Sequence, residues 1–312
     1  MGTTVVNRAL DPNAFSPFLN LLNNGGMEVW QRGISFSNPS INAYTADKWQ
    51  VSLIGSPTFT ISQESSIIDG KGSYSLKLNV TAVGGATVCR IVGFVENASA
   101  YAGLTVSASA RIKCNVANTA KIRLRDSIFN TPSDYHTGDN TWQTLTATQT
   151  VYSATSQLYL EIGMISSDVN VATIYIDNVM LCVGSQSLSF VPLQPADNFS
   201  RCLRYCQKFG GGAINQDVAI GIALSTSACE FPIHYFVPMA AVPTATVFSS
   251  TNWKTGNPAG GLVVIGALGF AAESNHSGYF AGSSVSGSPL TAFHAAELFS
   301  STTSEYLLLE VL

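Results

Sequence analysis

Apolar and polar residues alternate along much of this chain with a period of two. In Ser75–Val80 (SLKLNV), Leu76, Leu78 and Val80 are separated by polar residues. In Ala120–Asp126 (AKIRLRD), Ile122 and Leu124 alternate with Lys121, Arg123 and Arg125. Such alternation predicts strands with one wet face. Similar short runs are read at 19–22, 27–30, 49–53, 58–62, 87–95, 104–114, 142–150, 157–165 and 172–182. Turn chemistry separates them, as in Asn23-Asn24-Gly25-Gly26, Gly55-Ser56-Pro57 and Asp69-Gly70-Lys71-Gly72. About ten strands at this spacing predict a jelly-roll sandwich.

The pattern changes after Pro192 and Pro195. Residues 196–212 (ADNFSRCLRYCQKFGGG) predict one helix, with Phe199, Cys202, Leu203 and Cys206 forming an apolar stripe. Asp197 or Asn198 would cap its start, and Gly210–Gly212 its end. Beyond it, strands are expected at 218–224, 229–236, 244–248, 261–269, 278–280 and 306–311. The resulting division is an N-terminal arm over 1–19, a jelly roll over 20–191, a linker and helix over 192–212, and a smaller β-sandwich over 213–312. The fold class expected is all-β.

Composition sharpens this picture. Charged residues make up 11% of the 312 residues, where soluble domains carry about 25%. A surface so poor in charge suits contact with other subunits. Net charge is −4 and the 15 basic residues form no run, which argues against nucleic-acid binding. Residues 261–272 form the longest apolar stretch, too short and glycine-punctuated for the roughly 18 residues of a membrane span. The N-terminal MGTTVVNRALDPNAF lacks the basic and apolar blocks of a secretory signal, so a protein made and kept in a cytoplasm, or released by lysis, is expected. The six cysteines, Cys89, Cys114, Cys182, Cys202, Cys206 and Cys229, read as buried small hydrophobes in such a compartment.

Catalytic chemistry finds little to work with. The four histidines, His136, His234, His276 and His294, form no metalloprotease motif, and no nucleophile-elbow motif is present. Cys202 and Cys206 have a metal-compatible spacing without a second pair, so they read as core, and no catalytic or metal residues are assigned. Trp30, Trp49 and Trp142 also read as packing. The loop of residues 132–140 (PSDYHTGDN) crowds Asp134, Tyr135, His136, Asp139 and Asn140 into one polar segment. That makes it the candidate carbohydrate-binding site, with an ordinary solvated loop as the bland alternative. His276 and Tyr279 form a weaker candidate.

Two stretches carry most of a resemblance, and a third extends it. The first is NNGGMEVWQRGISF with YTADKWQV, through Asn24, Gly25, Met27, Trp30, Gln31, Arg32, Gly33, Tyr44, Ala46, Asp47 and Trp49. The second is IDNVMLCVGS with FVPLQPADNFSRCLRYCQKF, through Ile176, Asp177, Val179, Leu181, Gly184, Phe190, Pro192, Arg201, Cys202, Tyr205, Gln207 and Lys208. They resemble the carbohydrate-binding-module-like domain and strand–linker–helix junction of phage tail fibre and other virion proteins. FPIHYFVPMAAVPTATVF, with Pro238, Met239, Pro243 and Thr244, resembles the start of their C-terminal sandwich.

The resemblance implies a galactose-binding-like jelly roll and a homotrimer within a virion. Its partners would be other virion proteins and, in a receptor-binding role, host surface glycan; the sparse catalytic chemistry separately predicts no enzyme activity. The alternative it leaves is a head-decoration or baseplate protein with a purely assembly role. No cofactor is expected. Asp177, near the end of the last jelly-roll strand, could hydrogen-bond a loop or hold a calcium ion, and the loop role is the one expected.

Overall fold

A computed structural model describes residues 20–213, 216–256, 262–285, 290–292, 294–300 and 305–311. The arm read at 1–19 lies outside them. The chain divides into two compact units, the first ending at Asn198 and the second beginning at Phe199.

The first unit is an antiparallel jelly roll of two sheets. Its strands are β1 (Ser35–Ser37), β2 (Trp49–Ile54), β3 (Thr58–Glu64), β4 (Ser75–Ala82) and β5 (Val88–Phe94). After a short 3-10 turn at Ala98–Tyr101 come β6 (Thr105–Cys114), β7 (Lys121–Asp126) and β8 (Asn130–Pro132). β9 (Trp142–Thr150), β10 (Leu158–Met164) and β11 (Ala172–Val183) complete it. One sheet runs β1-β3-β4-β11-β6-β9, the other β2-β5-β10-β7-β8. Alternation assigns the faces: Leu76, Leu78, Ile122, Leu124, Leu160 and Ile162 are fully buried between the sheets.

The runs at 19–22 and 27–30, expected as strands, are irregular within the described residues. Asn24 and Met27 adopt left-handed φ of 55°, which a strand cannot hold. The Asn24 side chain then knots the segment: its amide donates to Val29 O and Asp47 O, and its oxygen accepts from the Glu28 and Val29 amides. Trp30 donates to Met27 O and Trp49 to Asn24 O, so both tryptophans seal the core. Gly25 is required here, because a Cβ would lie 2.2 Å from Val179 O.

The helix α1 spans Pro195–Leu203, shorter than the 196–212 expected. Asp197 sits in its first turn and Arg201 in its last, as the helix dipole favours. Cys206 does not extend the apolar stripe. It opens strand β12 (Cys206–Gly210), which pairs with β20 (Tyr306–Glu310), itself paired to β15 (Thr244–Val247). Phe199, the first stripe residue, is exposed.

The expected second sandwich takes the form of this three-stranded sheet and a six-stranded sheet closed into a barrel. The barrel strands are β13 (Gln216–Ala223), β14 (Cys229–His234), β16 (Lys254–Gly256), β17 (Leu262–Ala272), β18 (Ser277–Val285) and β19 (Ala295–Ser300). One core joins both sheets, with Trp253, Phe231, Phe280, Leu307 and Leu309 fully buried. Gln207 ties its rim: Nε2 donates to Leu203 O and Val237 O, and Oε1 accepts from the Phe236 amide. All six cysteines are buried thiols outside any disulfide. No helix of the described residues is long and apolar enough to cross a membrane.

Tight packing makes Gly93 a test of the jelly-roll core. A Cβ there would lie 2.8 Å from the fully buried Trp49 ring. Gly93→Ala is expected to destabilise the protein by about 1–3 kcal/mol. Urea denaturation followed by tryptophan fluorescence reads the change; an unshifted midpoint would contradict the packing described.

Candidate functional site

The outer face of the five-stranded sheet carries an ion-pair network. Because Ile122 and Leu124 point into the core, Lys121, Arg123 and Arg125 of β7 point outward. Register places Glu161 of β10 between Arg123 and Val92, Tyr159 between Arg125 and Phe94, and Gly163 between Lys121 and Arg90. Glu161 is 1% exposed and pairs with Arg123 Nε at 2.5 Å, Arg90 Nη2 at 3.0 Å and Arg125 Nη1 at 3.7 Å. A carboxylate so deeply desolvated persists only when charged donors surround it.

Arg90 is itself 9% exposed, and its Nε–H has no hydrogen-bond partner. Burial pushes its guanidinium below the usual range, Glu161 draws it back up, and Arg123 and Arg125 oppose that. Beside the network the Phe94 and Tyr159 rings meet at 5.3 Å, and the Arg125 guanidinium lies 5.9 Å from the Tyr159 ring centre. Burial, ahead of the flanking charges, raises the Tyr159 phenol.

The five loop residues singled out from the sequence separate into different roles. Tyr135 joins this face: Lys121 Nζ donates to its hydroxyl at 2.7 Å, and the hydroxyl donates to Asp168 Oδ2 at 2.9 Å. Lys121 also pairs with Asp168 at 3.2 Å and lies 4.1 Å from the Tyr135 ring centre. His136 is fully buried; Nδ1 accepts from the Gly138 amide, and Nε2 faces Thr141 O at 3.0 Å, which fixes the Nε2–H tautomer. Asp139 accepts from the Thr141 hydroxyl and amide and from Gln143, and these bonds hold its carboxyl below the usual range. Asn140 takes a left-handed turn and donates its amide to Cys114 O. Asp134 is exposed. His136, Asp139 and Asn140 therefore build the loop, while Tyr135 reaches the charged face.

His276 and Tyr279, the weaker pair, fall in the second unit. His276 is exposed at the β17–β18 turn, and Tyr279 is half-buried on β18.

A second polar concavity, of about 290 Å³, opens on the outer face of the six-stranded sheet. Arg111 grips Asp69 with two bonds, at 2.7 and 3.0 Å, and donates to Thr144 Oγ1. Asn178 Nδ2 also donates to Asp69. Beneath it, fully buried Asp177 accepts the Asp69 amide at 3.0 Å and the Asn178 amide at 2.7 Å. Asp177 thus holds the 65–73 loop. Its two oxygens are committed to backbone donors, and Glu28 Oε1 likewise to the Ser73 and Tyr74 amides, so this set does not fit calcium. Among the described residues no cluster of three or more His, Cys, Asp or Glu could hold a metal.

The register network was not visible in the sequence. Glu161 sits in an apolar run, LYLEIGM, and an acidic residue amid such a run was the signal that could have flagged it.

No known family profile matches the chain, and no curated protein matches it. Among solved structures it is similar to the enzymatically active domain of tailspike protein 4 of bacteriophage CBA120, at 17% identity and TM-score 0.41, over 54% of this chain and 22% of that one. The chain therefore spans under a quarter of that protein. It is similar to a cyclase from Fischerella sp. TAU, at 10% identity and TM-score 0.37, over 53% of this chain and 96% of that one. It is also similar to a xylan-binding domain from CBM 22, at 15% identity and TM-score 0.34, over 50% of this chain and 98% of that one.

Burial raises the Asp177 carboxyl to about 7, outweighing its two backbone donors, with the charges of Asp69 and Glu28 adding to the rise. A folded value above the unfolded one means the native state holds the proton longer. The resulting stability is present at low pH and is lost as pH rises from about 4 to 7. Urea denaturation of wild type and Asp177→Asn at pH 5 and 8 checks this. The wild type is expected to lose about 1–3 kcal/mol more than the variant over that interval; parallel losses would contradict it.

Proposed function

We propose that the chain is a structural protein of a bacteriophage particle that meets host surface glycan through the outer face of the jelly roll's five-stranded sheet. The carrying observation is the Phe94–Tyr159 pair set beside the Glu161 network. Sugars are held by an aromatic surface under their C–H face and by fixed planar groups at their hydroxyls. Here the rings, the guanidinium forks and the Tyr135 hydroxyl lie on one rigid face of paired strands. Glu161 and Asp168 are each tied to cations, which suits recognition better than proton transfer, so the role assigned is binding rather than catalysis.

The virion assignment rests on the two motif stretches. Their residues build the Asn24 knot and the end of β11, so the resemblance falls on the parts that define the jelly roll. Such a protein would be made in the host cytoplasm and carried in the particle as a homotrimer with other virion proteins.

A specific observation favours the assembly role. Ile220 and Ile222 on β13, with Leu224 just beyond its end (71%, 38% and 47% exposed), form an apolar stripe on the barrel's outer side. A run of this kind marks a subunit contact. Under that reading alone the chain would be a head-decoration or baseplate part that binds no glycan.

The labelled protein is expected to bind host-range cells and a glycan array saturably. Tyr159→Ala, with unchanged circular dichroism, is expected to weaken binding by about tenfold, or ~1.4 kcal/mol. Absence of binding by a folded oligomer would shift the role to assembly. Ile220→Asp is expected to convert the oligomer to monomers in light scattering, and an unchanged mass would remove the stripe from the interface.

A further inference from the structure

We infer that this face selects an acidic glycan, one whose sugar carries a carboxylate. The inference rests on the glycan-binding reading above and deepens it. On this face Arg90, Arg123 and Arg125 pair with Glu161, and Lys121 pairs with Asp168, so four cations meet two carboxylates. Two positive charges are left over, in a chain whose net charge is −4. The excess is not spread over solvated side chains: Arg90, Lys121 and Arg123 side chains are only 10%, 8% and 13% exposed. A neutral sugar laid over them would strip their remaining water and leave the excess uncompensated, whereas a carboxylate would cancel part of it.

One donor is also placed for an anion. Arg125 is the most open of the four, 43% exposed, and its 3.7 Å approach to Glu161 exceeds hydrogen-bond length. Its guanidinium lies 5.9 Å from the Tyr159 ring centre, so a pyranose seated on that ring has a planar fork beside it. Guanidinium forks match carboxylates in two-pronged geometry, which a hydroxyl cannot reproduce. Gly163, lying between Arg90 and Lys121 in the register, contributes no side chain to this part of the face.

Binding is measured for polygalacturonate, alginate and polysialic acid, each beside its carboxyl-reduced neutral form, together with an array of neutral glycans. At least one acidic polymer is expected to bind at least about tenfold tighter than its reduced form, with affinity falling as salt rises. Arg125→Gln is expected to abolish that preference, and Lys113→Gln, on the other sheet, to keep it. Equal binding of acidic and reduced forms, or binding of neutral glycans alone, overturns the inference and leaves the glycan reading standing. An acid preference that survives Arg125→Gln also overturns the inference as placed on this face. Failure to bind any polymer or array glycan overturns both.

Discussion

At the bulge in β11, the backbone around Asn178 and Val179 leaves the ladder with β6, and separate segments are fastened to what it frees. Val179 donates its amide to Gly25 O and accepts the Asn20 side-chain amide on its carbonyl. Asp177, two residues earlier, takes the Asp69 amide, and Asn178 reaches the Asp69 carboxylate. A bulge ordinarily leaves backbone groups unpaired, at a cost if they are buried. Here that cost is offset by drawing the 20–30 segment and the 65–73 loop onto the sheet. The Asn24 knot and the seat of Trp49 follow, since Gly25 can approach Val179 only without a side chain.

The two outer faces use charge differently. On the six-stranded sheet, Arg111 and Asp69 satisfy each other above a carboxyl whose oxygens accept backbone amides. The five-stranded sheet has one deeply buried acid beneath three arginines, so its pairing is incomplete by construction. Both arrangements depend on strand alternation, which sends polar residues outward in rows. Only the second gathers a surplus of one sign.

The position of many strands along the chain was legible from periodicity, because SLKLNV and KIRLRD could bury one face only as strands. That Lys121, Arg123 and Arg125 share a wet face was equally readable. Their partner Glu161 was not, since register between β7 and β10 is a non-local property. Tyr135 stood out by its polar company, while Asp168, which fixes it, is more than thirty residues downstream. Cys206 continued a helical stripe in sequence, yet pairing with β20 about a hundred residues later outweighed it. Three-residue strands such as β8 and β16 are too short to show any period. Hydropathy predicts a strand at 27–30 because left-handed turns at Asn24 and Met27 leave no mark on it.

Closure of the second unit's barrel has its own consequence. A sheet rolled shut, with β19 bonded to both β13 and β16, gives each barrel strand a partner on both sides over at least part of its length. That leaves a neighbour less backbone to extend by hydrogen-bond pairing, the promiscuous route by which β proteins aggregate. A contact at the Ile220 stripe would then rely on side-chain shape, in a surface with few charges to keep copies apart.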